Sequence, residues 1–197
     1  MRIGEAEQLW REGAAALADL AREPTYMHQF EGQTLGLQGR WPEAARTLEE
    51  GLAPTLSGED AGHASTTAAW ASRAHGRAGD AEAAIALADE AERLGAPDDC
   101  LTQSALRQAR ALALALRGQV DEAERLAREA IAILETTDAV PETADGYDDL
   151  AIVLDTAGKR DEAIETLRHA YELAVRKDDR ARMRVFTERL AELGATP

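Results

Sequence analysis

Four glycines constrain this chain more than any other feature. Gly39, Gly79, Gly118 and Gly158 each follow a stretch of helix-forming residues, and they stand 40, 39 and 40 residues apart. The same chemistry returns around every one of them. Seven residues before stands a small residue, Gly32, Ser72, Ala111 or Ala151. Five residues after comes Ala44, Ala84, Ala123 or Ala163; nine after, Leu48, Ala88, Ala127 or Leu167; twelve after, Gly51, Ala91, Ala130 or Ala170. Two antiparallel helices joined by a tight turn need a residue that ends the first at positive φ, which favours glycine. Small residues at matching heights let the two backbones approach, and larger neighbours then interlock around them. One such pair cannot bury its apolar face alone, so pairs must stack.

Composition agrees. Residues of the AVILMFWYC set make up 45 % of the chain but aromatics only 4 %, so alanine and leucine, the residues most at ease in a helix, carry the apolar content. Runs of β-branched residues with period two are missing, which leaves sheet without support. The reading is an all-α, right-handed α-solenoid of antiparallel helix pairs forming a single domain over 1–197. A helix over 1–23, with the apolar stripe Ala6, Leu9, Trp10, Leu17 and Leu20, precedes repeats at 24–63, 64–103, 104–143 and 144–177. The four units are placed from about Thr25, Ser65, Ser104 and Ala144. Loops are placed from Pro54 to Gly62, Gly95 to Asp99 and Thr136 to Pro141. A capping helix fills 178–197, N-capped by Asp178 or Asp179, with Val185, Phe186 and Leu190 covering the end of the stack. Four glycine-marked pairs with a cap at each end are reckoned as nine helices.

The pattern resembles the tetratricopeptide repeat, with Tyr147 at the aromatic position of a first helix and Trp41 at the aromatic position after a turn. The usual period is about 34 residues, so a period near 40 requires longer helices or loops. From Gly58 to Leu193 the resemblance narrows. It is carried by Gly58-Glu59, Ser65-Thr66, Gly79-Asp80, Ala96-Pro97-Asp98-Asp99, Leu101-Thr102-Gln103, Arg107 with Arg110, the Asp121 to Ala130 segment, and Ala144-Asp145 with Asp149-Leu150-Ala151. This looks like the C-terminal repeat region of bacterial regulators that carry nucleotide-cyclase-type and AAA/STAND-type ATPase domains upstream. No cyclase or ATPase residues are present, so the resemblance implies an interaction-bearing regulatory module, part of a longer protein or standing alone. A bacterial source also fits the bias for Arg, Lys159 and Lys177 being the only lysines among 22 basic residues.

Charge narrows the partners. The formal net charge is −15, which repels phosphate backbones and anionic lipid, so neither nucleic acid nor membrane is expected. With no signal-peptide core or apolar span, the location expected is cytoplasmic. Catalytic and metal motifs fall short. Gly158-Lys159 lacks the first glycine of a P-loop. Gly36 to Gly39 follows no strand. His28, His63, His75 and His169 show no zinc spacing. Ser65-Thr66-Thr67 reads as a helix N-terminus, and Cys100 as an inert thiol with no basic activator. No enzyme and no cofactor are expected.

What remains is binding. In such a repeat the first helix of each pair lines the concave face, which selects Tyr26, Gln29, Gln33, Thr66, Arg73, Gln108, Leu112, Asp145, Asp148, Ile152 and Asp155 as groove positions. Asp145 and Asp148 read as exposed, and with Asp155 they repel one another until a basic partner arrives. The competing reading pairs Arg107, Arg110, Asp145 and Asp149 between adjacent helices, with Arg110 and Asp149 in core positions. The function expected is a protein-interaction scaffold or sensor module of a bacterial regulatory system. A receptor for a short linear peptide is the alternative and an enzyme a remote third. A scaffold implies a broad, shallow groove and is compatible with homo-oligomers; a peptide receptor implies a deep groove with convergent polar groups.

Overall fold

A computed structural model describes residues 24–55 and 61–197, together with Gln8 and Glu12. Its elements are α1 (Pro24–Leu37), α2 (Trp41–Thr55), α3 (Ala61–Ala78), α4 (Ala81–Leu94), α5 (Cys100–Leu116), α6 (Val120–Leu134), α7 (Val140–Thr156), α8 (Arg160–Arg176) and α9 (Arg180–Glu192). No strand occurs among the described residues. These nine helices are the four pairs and the C-terminal cap alone. Nine is also the number expected, although four pairs with a cap at each end sum to ten; the N-terminal cap lies outside the described residues.

The glycine turns are as read. Gly39, Gly79, Gly118 and Gly158 take φ of 74°, 88°, 75° and 76°. Each turn closes with the same six-to-one bond, in which the residue after the glycine donates its N–H to the carbonyl four residues before that glycine: Arg40 to Leu35, Asp80 to His75, Gln119 to Leu114 and Lys159 to Leu154. That is the Schellman termination, and it reverses the chain within three residues. A fifth copy joins α8 to α9. There Asp179 donates to Ala174 and the left-handed position belongs to Asp178, at φ 50°. Asp tolerates that region better than most residues, which is why a search by glycine passes over this turn.

Every small residue of the pattern is buried. Ser72, Ala111, Ala151, Ala84, Ala123 and Ala163 are all at zero exposure. A Cβ at Gly32 would fall 2.5 Å from Leu48 Cγ, so the α1–α2 contact has no room for one. Each helix packs on its partner and on the next pair, and α9 closes the stack on α8. Phe186 and Leu190 of α9 are fully buried against Leu154, Leu167 and Leu173. Asp179 caps α9 by accepting from the Arg182 N–H at 3.1 Å.

The long period sits in the helices, not the turns. First helices α3, α5 and α7 run 18, 17 and 17 residues. They begin at Ala61, Cys100 and Val140, four residues ahead of Ser65, Ser104 and Ala144. Ser65, Thr66 and Thr67 therefore lie inside α3 rather than at its N-terminus. The array also curves back on itself, since α9 touches α1. There the exposed Arg184 donates through Nη2 to the Leu37 carbonyl at 3.0 Å.

Candidate functional site

The first helices of the pairs, with α9, turn one face toward a shared interior. Gln33, Leu37, Trp70, Arg73, Leu101, Gln108, Glu142, Asp145, Asp148, Arg182, Val185 and Phe186, together with Trp41 at the start of α2, line a single cavity of about 70 Å³. One wall is apolar and aromatic, the other ionic. Of the eleven expected groove residues, this cavity brings together Gln33, Arg73, Gln108, Asp145 and Asp148.

The others do different work. Gln29 is buried and donates through Nε2 to Thr67 Oγ1 at 2.6 Å, tying α1 to α3. The Thr66 hydroxyl lies 3.0 Å from that of Thr102, which donates to Asp99 Oδ2 at 2.6 Å. Leu112 is core and packs against Gly76. Ile152 is half-buried and away from the cavity. Asp155 pairs with Arg160 at 3.0 Å. The Tyr26 side chain lies outside the described residues.

The acidic groove requires correction. Asp148 is not exposed but 3 % accessible, and Asp149 is at zero. Arginines answer both, and these come from distant helices rather than from Arg107 or Arg110. Arg73 donates to Asp149 through Nε at 2.5 Å and Nη2 at 3.1 Å. Arg77 Nη1 donates to Asp148 Oδ2 at 2.5 Å and to Asp149 Oδ1 at 2.8 Å. Arg189 of α9 pairs with Asp148 at 3.0 Å, and Arg182 grips Asp145 with two bonds. Arg110 pairs instead with Asp89 and Glu92 of α4, and Arg107 with Gln103 and Glu129. The repulsion inferred among the carboxylates is therefore cancelled internally, by a chain of arginines no local spacing displays.

The electrostatics follow. Burial works against both charged forms, but the opposing charge outweighs it. Arg73 is held above the ordinary guanidinium value by Asp149, with Asp145 aiding, and Arg77 by Asp148, with Asp149 aiding. The face of Trp41 adds to this, with the Arg77 guanidinium carbon 4.4 Å and that of Arg73 5.6 Å from the ring centroid, a cation–π arrangement. Sequence reasoning missed Arg77, Arg182, Arg189, Trp70 and Glu142. Arg77 alone had a legible signal, since it stands one turn after Arg73 on the same face of α3.

No group of three or more His, Cys, Asp or Glu suited to a metal occurs among the described residues. No described helix is long and apolar enough to cross a membrane.

Stacked helix pairs of this kind define a tetratricopeptide-like α-solenoid. Residues 101–174 match the family description "Tetratricopeptide repeat". Among solved structures, the chain is similar to BtubC (BKLC) from P. vanneervenii, with 17 % identity, TM-score 0.55, and coverage of 89 % of this chain and 74 % of that one. It is similar too to a putative kinesin light chain from Podosopora anserina with nearly identical TPR-like repeats, at 21 % identity, TM-score 0.52, and 89 % and 88 % coverage. A single-substitution form of that protein gives 20 %, 0.54, and 90 % and 89 %. These likenesses concern the fold. No curated protein sequence matches the chain.

Proposed function

We propose that this chain is a protein-binding scaffold whose partner, a protein segment or peptide, lies along the face built by α1, α3, α5, α7 and α9. The observation that carries this reading is the convergence of five helices on one lining that is aromatic on one side and charged on the other. Interaction surfaces combine bulky anchors with a few fixed polar groups in this way. Repeats of this type are in general non-catalytic, and no catalytic role is assigned to the chain. The finer reading, a sensor or scaffold module of a bacterial regulatory system acting in the cytoplasm, rests on the resemblance of the Gly58 to Leu193 stretch to such regulators.

The partner's basic residues now have a narrower place. Asp145, Asp148 and Asp149 are already paired, whereas Glu142 lines the cavity with no ion pair among the described residues. A cationic group on the partner would meet Glu142. Photo-crosslinking side chains placed at Gln33 and Gln108, with outward-facing Glu122 and Glu172 as controls, test the reading in native lysate. Adducts at the first two positions support it, and adducts confined to the controls reject it.

A further inference from the structure

The way this face is reached follows from how it is closed, an inference that rests on the concave face being the binding face. A cavity of about 70 Å³ holds a handful of waters, at roughly 10–15 Å³ each, whereas clefts that bury even a small-molecule ligand run from roughly 300 Å³ upward. A partner segment therefore enters only if the array widens. In a simple stack each pair touches its neighbours alone. Here three arginines reach further. Arg73 and Arg77 cross from α3 to Asp148 and Asp149 on α7, past the intervening α5. Arg184 joins α9 to α1, the last and first of the described helices.

Their chemistry suits release. Side chains of Ala, Leu and Phe hold each helix pair to the next, and separating those would expose apolar surface to water. Ionic groups behave differently. A buried pair gains attraction but loses hydration, and the two nearly cancel. On opening, Arg73, Arg77, Asp148 and Asp149 recover their hydration, which offsets much of the attraction they lose. We infer that these arginine contacts form a clasp that holds the concave face shut, and that the array admits its partner by parting α3 from α7 and α1 from α9. Opening uncovers Trp41, Trp70, Val185 and Phe186, the apolar lining of the cavity.

Paired spin labels on α1 and α9 read this directly, without a partner. Cysteines are introduced by Glu31→Cys and Thr187→Cys, both at exposed positions, with Cys100→Ser removing the native thiol. The parent should give one narrow distance distribution. The triple variant Arg73→Gln, Arg77→Gln, Asp149→Asn removes every α3–α7 ion pair, yet leaves Asp148 with Arg189 and Asp145 with Arg182. Its distribution should lengthen by at least about 5 Å, the width of one extended chain, while the helical circular-dichroism signal and cooperative melt persist. Arg184→Ala, a change at an exposed side chain, should move it the same way and decides the matter if the triple variant fails to fold. An unchanged distribution in a folded triple variant, or in Arg184→Ala alone, overturns the clasp. Crosslinking at Gln33 and Gln108 would still stand or fall separately.

Discussion

Asp145 and Arg182 face each other across α7 and α9, with Arg182 Nε 2.8 Å from one carboxylate oxygen and Nη2 2.9 Å from the other. Planar fork meets planar carboxylate, the geometry in which a charged hydrogen bond is strongest. Burial alone would raise the Asp145 pKa, but Arg182, aided by Arg73 and Arg77, outweighs it and holds the carboxyl below its ordinary value. The native state then binds this proton more weakly than the unfolded chain does. Its contribution to stability is present above the unfolded carboxylate pKa, near 4, and is lost as pH falls through the depressed value. Urea midpoints measured from pH 7 down to pH 3 should therefore fall at the acid end. In Asp145→Asn the plateau should be lower and the acid slope shallower. An identical slope in parent and variant would remove Asp145 from the acid response.

The turn glycines give a second expectation. A Cβ at Gly118 meets nothing within 4 Å, while φ is 75°. Any effect of Gly118→Ala must therefore come from the backbone, at about 1–2 kcal/mol for a left-handed L-residue. Gly118→Asn should cost less, because Asn tolerates that region. The natural counterpart runs in reverse. Asp178 sits at φ 50°, so Asp178→Gly should leave stability unchanged or raise it. Chemical denaturation of the three variants orders them.

Packing supplies a third. Ala123 and Ala163, five residues past their glycines, have no exposed surface. Ala123→Leu or Ala163→Leu should cost about 1–3 kcal/mol through overpacking, visible as a clear drop in melting temperature. Variants that melt with the parent would show that the helices do not meet at these heights.

How much of this was legible divides along sequence distance. The turns and the alanine heights recur at fixed offsets from each glycine, so they could be read from spacing alone. Helix starts fall four residues earlier than that spacing suggests, because the register is counted outward from the small residues. The extra turn of α3, α5 and α7 begins with residues that carry no part of that pattern, and α7 has no side-chain cap at Ala139. The cavity was half legible. Gln33, Arg73, Gln108, Asp145 and Asp148 fall on the inward face by periodicity. Their charge state did not, because Arg73 meets Asp149 across 76 residues and Arg182 meets Asp145 across 37. Periodicity within a helix says which residues share a face. It says nothing of how far the array curves, and the curvature decides which charges meet.

Whether α3 and α7 meet across the concave face is settled most directly by a double-mutant cycle on Arg73 and Asp149. Stability to urea is measured for the parent, Arg73→Ala, Asp149→Ala and the double variant. Each single change leaves a buried charge without one of its partners and should cost about 3–5 kcal/mol. If the two groups touch as described, the double variant should be more stable than the sum of the singles requires, with a coupling of about 1–3 kcal/mol. Additivity within about 0.5 kcal/mol would mean that α3 and α7 stand apart and that the face is open, contradicting the closed array.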